Sequence, residues 1–202
     1  MAEDSVTTAP VAPVANPAGL GLVAFGLTTV LLSLINAGIL PAGGEPVVIP
    51  LALAFGGLMQ IFAGVFEVRL GNTFGMTAFL SYGAFWWWFA LLLLFGHNHW
   101  IDLSAVGPTV GVALLLWGVL TLYLWISTFR LPKILFLIFL TLWVTFALLG
   151  LGAIQGDAGL THAGGWLGLL CGCLALYGSF GIVTNATFGR PVVPLGETPL
   201  VR

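Results

Sequence analysis

The chain has 202 residues, of which 59% are hydrophobic and 6% are charged, and its formal net charge is −2. Because a water-soluble domain carries about a quarter charged residues, this composition excludes a water-soluble fold and indicates an all-α integral membrane protein. The chain holds five Lys and Arg residues in all. These are too few for the basic surface that nucleic-acid binding requires, so nucleic acid is excluded as a partner.

Six apolar segments are each long enough to cross a bilayer, which takes about 20 mostly apolar residues. Short polar or glycine-rich stretches separate them, and the segments cover residues 19–40, 47–66, 74–95, 105–129, 132–154 and 163–184. The sequence therefore predicts six transmembrane helices per protomer in one transport domain, residues 16–190. A flexible cytoplasmic tail, 1–15, precedes this domain, and a cytoplasmic C-terminal tail, 191–202, follows it.

The basic residues predict how these helices are oriented, because Lys and Arg in short loops are retained on the cytoplasmic side. The second loop holds Arg69, the fourth holds Arg130 and Lys133, and the C-terminal tail holds Arg190 and Arg202. Loops one, three and five carry acidic residues and no Lys or Arg. Both termini are therefore predicted to be cytoplasmic, in a multi-pass protein of the plasma or inner membrane that is surrounded by lipid.

Two asparagines stand where predicted helices begin. Asn16 and Pro17 precede the first helix in the order of a capping acceptor followed by a proline at the first helical position. Asn72 and Thr73 precede the third helix. Capping alone explains both pairs, but a helix N-terminus also presents free N–H groups to an anion. A role for these four residues where an anion enters stays open beside the capping role.

Polar side chains gather on one face of four of the predicted helices. Because an unpaired amide or hydroxyl facing lipid costs free energy, these faces are expected to point into the bundle. Single hydroxyls can simply bond neighbouring backbones, but four such faces together favour a substrate path. The candidate path residues are Thr28, Thr29, Asn36, Gln60, Thr77, Ser81, Thr141 and Thr145.

Every Asp, Glu, Lys and Arg lies outside the apolar segments or at their edges. Intramembrane acid–base catalysis is therefore not expected, and the sequence predicts no enzyme, no metal and no cofactor. Glu67, at the end of the second helix, is the nearest carboxylate to the path, and pairing with Arg69 is its alternative role. His162, at the start of the sixth helix, carries an imidazole, the side chain that proteins use most often to sense pH, and an interfacial hydrogen bond is its alternative role. Glu67 and His162 are therefore the candidate proton-linked residues.

Several motifs occur in an order that resembles one known family. Residues 16–22, Asn-Pro-Ala-Gly-Leu-Gly-Leu, resemble the NPAPLGL signature of the AceTr acetate uptake transporters, although Gly19 replaces the second proline. The resemblance continues to about residue 197 and includes Gly-Asn-Thr-Phe-Gly-Met-Thr-Ala-Phe at 71–79 and His-Ala-Gly-Gly-Trp-Leu-Gly at 162–168. It implies a homohexamer with one pore in each protomer. The narrow point of that pore corresponds to Phe25, Tyr82 and Leu142.

The resemblance and the polar faces together predict transmembrane uptake of acetate and related small carboxylates such as succinate. An anion in an apolar pore loses its hydration, and no Lys or Arg is placed to replace it. Proton symport or passage of the neutral acid is therefore expected, whether by a channel or by a carrier. The alternatives are a passive channel for a neutral solute such as urea or ammonia, and a structural or sensory membrane protein.

Overall fold

The computed structural model describes residues 14–196 and residue 200. Within them, six helices are long and apolar enough to cross a membrane, which confirms the predicted all-α fold with six spans. The predicted N-terminal tail lies outside the described residues up to residue 13, as do residues 197–199, 201 and 202 of the C-terminal tail. The helices are α1 Ala18–Asn36, α2 Ala42–Arg69, α3 Thr73–His97, α4 Gly107–Arg130, α5 Lys133–Gln155 and α6 Ala158–Phe188.

Several helix ends differ from the predicted ones by three to five residues, and two of these differences have a local backbone cause. α1 ends at Asn36 rather than residue 40, since Gly38 takes a left-handed conformation with φ +74° that a helix cannot continue. α6 begins at Ala158 rather than residue 163, because the Asp157 carboxylate accepts hydrogen bonds from the N–H groups of Gly159 and Leu160. Hydropathy alone misses such turns and caps.

The second span is irregular along its length. It starts with a 3-10 turn, Ala42–Gly44, continues as an α-helix over Glu45–Leu51, widens into a π-helix over Ala52–Met59 and returns to an α-helix over Gln60–Arg69. A side chain at Gly56, within the wide segment, would overlap Thr28 and Trp86. Close packing of α1, α2 and α3 therefore depends on this glycine.

The six helices form a ring in chain order. Each helix packs closely against the next except α3 and α4, whose contact is slight, and α6 closes the ring by packing against both α5 and α1. Short loops favour this order, because they join neighbouring antiparallel helices. With six alternating spans, α1 begins and α6 ends on the same side of the bundle, which we call the terminal side.

Glycines allow the close packing of α6 against its neighbours. Gly164, Gly168 and Gly172 form a ladder of small residues along α6, and a side chain at any of the three would overlap a neighbouring helix. A side chain at Gly172 would overlap Val30 and approach the Gly26 carbonyl of α1. Because small residues let membrane helices approach closely, this ladder joins helices within one protomer.

Candidate functional site: two cavities inside the helix ring

A cavity of about 330 Å³ lies inside the ring on the terminal side. We call it the terminal-side cavity, and every helix except α4 contributes to its wall. The polar side chains in this wall belong to Asn16, Gln60, Glu67, Asn72 and Tyr82, and the rest of the lining is apolar or glycine. An apolar pocket with a few polar groups is the usual form of a small-molecule site.

The deep end of this cavity is built by Phe25, Gln60, Tyr82 and Leu142. Along α1, α2, α3 and α5 respectively, each is the lining residue farthest from the terminal side. Tyr82 joins two other rings, with ring centroids 5.8 Å from Phe25 and 6.0 Å from Phe139. The residues that the resemblance assigned to the narrow point thus lie together where the cavity stops.

The Tyr82 hydroxyl has a role that the sequence did not predict. It is buried and donates a hydrogen bond to the Thr121 hydroxyl on α4, at 2.9 Å. Thr121 in turn donates to the carbonyl of Trp117, at 2.7 Å. The Tyr82 hydroxyl therefore links α3 to α4.

A second cavity, of about 410 Å³, lies at the opposite side of the bundle. We call it the opposite-side cavity, and its wall includes Asn36, Glu45, Asp157 and His162. It shares no lining residue with the terminal-side cavity. His162 and Glu67, the two candidate proton-linked residues, are therefore far apart, at opposite ends of the protein.

The segment between the two cavities is closed. From Phe25 to Asn36 it extends about 16 Å along α1, at about 1.5 Å per residue. Thr28 and Trp86 are almost fully buried there. The ring centroids of Phe85 and Phe146, about one turn beyond Tyr82 and Leu142, are 5.3 Å apart. The predicted polar faces do not join the two cavities into one open path among the described residues.

Several predicted path residues use their hydroxyl protons within their own helix. Each donates to a backbone carbonyl one turn earlier, at 2.8–2.9 Å, and these residues are Thr28, Thr77, Thr141 and Thr145. None of them, nor Ser81, lines either cavity in the described part of the chain. For these residues the alternative role, bonding of neighbouring backbone, describes the structure better than a path lining.

Three other candidates keep a buried oxygen without a hydrogen-bond partner within the described ranges. These atoms are Thr29 Oγ1, Gln60 Oε1 and Glu67 Oε1. Gln60 and Glu67 line the terminal-side cavity, and Thr29 lies one turn beyond Phe25 in the closed segment. Because a buried polar group without a partner costs free energy, these oxygens are the ones available to a guest molecule.

Glu67 is held at the mouth of the terminal-side cavity by the turn that follows α2. Its Oε2 accepts a hydrogen bond from Asn72 Nδ2 at 2.8 Å, and its side chain is 1% exposed. The Arg69 guanidinium instead lies over the Phe66 ring, 5.6 Å from its centroid. The partner found for Glu67 is thus an amide, in place of the expected arginine.

Asn72 caps α3, as predicted, whereas the N-cap residue of α1 is Pro17 and Asn16 bonds the first N–H of that helix. Asn16 Oδ1 accepts from the Ala18 N–H at 2.9 Å, and Asn72 Oδ1 accepts from the Gly75 N–H at 3.1 Å. α1 begins at Ala18, so Pro17 immediately precedes the helix, whereas Thr73 is the first residue of α3. Both asparagines also line the terminal-side cavity, and their role for an entering anion stays a prediction.

Some wall residues were missing from the sequence prediction. Phe139 and Ile138 lie one turn before Leu142 on α5, so helical spacing from Leu142 could have found them. Leu195 follows the last helix and contributes to the same wall. No helical pattern extends to that position, and only the tertiary structure identifies it.

Comparison with known proteins places the chain among membrane transporters and channels. The model of the GPR1/FUN34/yaaH family matches residues 2–197. The succinate-acetate/proton symporter SatP of Escherichia coli K12 is 45% identical over 184 residues, covering 91% of this chain and 96% of SatP. The solved structure of the bacterial acetate channel SatP superposes with a TM-score of 0.86 at 44% identity, covering 91% of this chain and all of that one.

Two fungal relatives are named for different solutes. Acetate permease A of Emericella nidulans is 39% identical over 199 residues, which cover 92% of this chain and 67% of the permease. Ammonia transport outward protein 2 of Saccharomyces cerevisiae is also 39% identical, over 186 residues that cover 88% of this chain and 64% of that protein.

Proposed function

The chain belongs to the GPR1/FUN34/yaaH family, and we propose that it moves acetate and related small carboxylates, such as succinate, across the membrane through the ring of each protomer. The observation that carries the proposal is the terminal-side cavity, with an apolar wall and unpartnered oxygens, ending at Phe25, Tyr82 and Leu142. Its relatives are named as transporters or channels. We therefore infer transport rather than catalysis.

The chemistry of the cavity favours the neutral acid over the carboxylate ion. Among the described lining residues none is Lys or Arg, so an ion that enters loses hydration without a compensating positive charge. Two of the unpartnered oxygens, on Gln60 and Glu67, are acceptors. A protonated carboxylic acid brings an O–H donor that matches them, whereas a carboxylate brings only further acceptors.

We propose that Glu67 holds the proton that accompanies the substrate. The two titratable side chains in the described cavity wall are Glu67 and Tyr82, and the Tyr82 proton is donated to Thr121. Glu67 lies at the mouth with one oxygen unpartnered. This oxygen can accept the proton of a neutral acid that crosses from the opposite side and release it at the mouth. In the reverse direction it takes up a proton at the mouth and donates it to an entering carboxylate.

The primary test is uptake of labelled acetate into proteoliposomes with an alkaline lumen. We expect unlabelled propionate to inhibit this uptake by competition, and we expect urea to leave it unchanged. Leu142→Trp should block it by filling the deep end, while Leu137→Trp, on the exposed face of the same helix, should retain it. Uptake equal to that of empty liposomes would refute the proposal, and saturable uptake of ammonium without acetate uptake would favour the solute named for the yeast relative.

Proton coupling is tested separately with Glu67→Gln, which preserves the shape of the side chain and its contact with Asn72. The wild type should accumulate acetate faster when the lumen is alkaline, and the variant should lose this dependence while still exchanging acetate for acetate. Glu45→Gln, a change in the opposite-side cavity, is the matched control. A variant that keeps the full gradient dependence would exclude Glu67 as the proton carrier.

Orientation and assembly remain proposals of the same kind. The basic residues Arg69, Arg130, Lys133 and Arg190 lie at helix ends on the terminal side, so we propose that this side faces the cytoplasm. Assembly as a homohexamer follows from the family resemblance. The orientation is tested by thiol labelling of Arg190→Cys in sealed cells. The assembly is tested by native mass spectrometry of the purified protein.

A further inference from the structure

The segment that follows the last helix folds back onto the bundle. Residues 191–196, which we call the strap, were predicted to belong to a separate tail beginning at 191. Instead, Val193 is buried and Leu195 is half-buried. Leu195 lines the terminal-side cavity, on the same wall as Pro132 and Ile182.

Hydrogen bonds from α6 hold the first part of the strap. Asn185 Oδ1 accepts from the N–H groups of Val192 and Val193, at 2.7 and 2.8 Å. The Asn185 amide also donates to the Val193 carbonyl at 2.9 Å, and the Tyr177 hydroxyl donates to the Pro194 carbonyl at 2.8 Å. One asparagine thus contributes three of the bonds that fix the path of the strap.

The end of the strap caps α5. The N–H groups of Lys133 and Ile134 donate to the carbonyls of Gly196 and Leu195, at 2.8 and 3.2 Å. These are N–H groups of the first helical turn, which have no acceptor within their own helix. The strap therefore satisfies backbone donors beside the cavity mouth, and these bonds orient Leu195 at the same time.

The position of Leu195 depends on a glycine in α6. A side chain at Gly181 would overlap Leu195, so this glycine provides the space into which the leucine packs. Leu195 is held between α6 and the start of α5 and faces the cavity between them. It is thus part of the wall at the terminal-side mouth, although it lies outside every helix.

We propose that Leu195 is a specificity-determining residue of the permeation pathway and that the strap, fixed by Asn185, sets the width of its terminal-side mouth. This inference rests on the proposed function, because it assigns a residue to the route of the carboxylate. The ligand class is that of straight-chain monocarboxylic acids. Their apolar tails must pass the part of the cavity wall to which Leu195, Pro132 and Ile182 belong.

The experiment compares uptake of labelled acetate and labelled butyrate by proteoliposomes. Leu195→Ala should raise the butyrate-to-acetate rate ratio by about tenfold, the lower end of the discrimination seen for one methylene group. Asn185→Ala should act in the same direction, because it releases the strap. Leu195→Trp should reduce butyrate uptake more strongly than acetate uptake. Val192→Ala, an exposed position on the same strap, should match the wild type.

A second measurement reports on the mouth without requiring transport. Ala78 lines the cavity, so Ala78→Cys, in a chain with Cys171→Ala and Cys173→Ala, provides one thiol inside it. Leu195→Ala should speed labelling of this thiol by a water-soluble reagent several-fold, and Val192→Ala should leave it unchanged.

The outcomes separate the two proposals. A wild type that takes up no acetate refutes the proposed function, while faster thiol labelling in Leu195→Ala still supports Leu195 as the limit of the mouth. A wild type that takes up acetate, with Leu195→Ala unchanged in both the rate ratio and the labelling rate, overturns the assignment of Leu195 alone.

Discussion

Replacing Tyr82 separates the function of its ring from that of its hydroxyl. The ring closes the deep end of the terminal-side cavity beside Phe25 and Phe139, while the hydroxyl donates to Thr121. Tyr82→Phe keeps the ring and removes the hydroxyl, whereas Tyr82→Ala removes both. If the ring is the barrier and the hydroxyl only links helices, the two variants should behave differently.

The expected size of each effect follows from these contacts. Tyr82→Phe loses one hydrogen bond between helices, worth about 0.6 kcal/mol on average in a membrane bundle. Even if all of this energy fell on the transport barrier, acetate uptake should slow by less than about threefold. A hydroxyl that also bonded the substrate would be worth about 1 kcal/mol, or about fivefold in rate. Tyr82→Ala enlarges the deep end by a whole ring and should raise the butyrate-to-acetate ratio by about tenfold or more.

The assay is initial-rate uptake of both labelled acids at equal amounts of reconstituted protein. Gel-filtration profiles must match the wild type, so that misfolding is excluded. Thr121→Val is the matched control, because it breaks the same hydrogen bond from α4 and leaves the Tyr82 ring in place. A fivefold or greater loss of acetate uptake in Tyr82→Phe but not in Thr121→Val would refute the reasoning, and would show that the hydroxyl contacts the substrate.

Two further variants test the buried oxygens and the packing. Gln60→Leu removes an unpartnered buried oxygen, so we expect acetate uptake to fall about fivefold while the melting temperature in detergent stays equal or rises. Gln155→Leu, at an exposed position, is the control and should change neither uptake nor melting temperature. A lower melting temperature for Gln60→Leu would contradict the assignment of this oxygen to the substrate. Gly172→Leu forces a side chain against Val30 and should cost about 1–3 kcal/mol, seen as a lower melting temperature. The exposed neighbour Cys173→Leu should melt like the wild type.

The number of spans and the helix caps could be read from the sequence because they depend on local properties. Whether a segment can cross a bilayer depends on its length and its apolar content, and neither changes with the packing around it. Likewise, the side-chain oxygens of Asn16 and Asn72 accept hydrogen bonds from N–H groups only two or three residues further along the chain. The motif resemblance also identified Phe25, Tyr82 and Leu142, which lie together at the deep end of the cavity.

The tertiary structure alone decided which hydroxyls of the bundle interior find a hydrogen-bond partner. Thr28 and Thr29 are adjacent, similar and both buried, yet Thr28 donates to the Ala24 carbonyl and Thr29 has no partner among the described residues. A threonine in any helix can bond the carbonyl one turn earlier. Whether it does depends on what packs against it, and sequence spacing carries no information about that.

Long-range contacts determine the features of the site that the sequence did not predict. Tyr82 finds Thr121 39 residues away, and Leu195 reaches the cavity wall by folding back from beyond the last helix. Hydropathy and helical period describe one segment at a time, so they predict which residues can face inward but not what meets them there. The closed segment between the two cavities exists because side chains from several helices fill the same space, and only their packing together determines it.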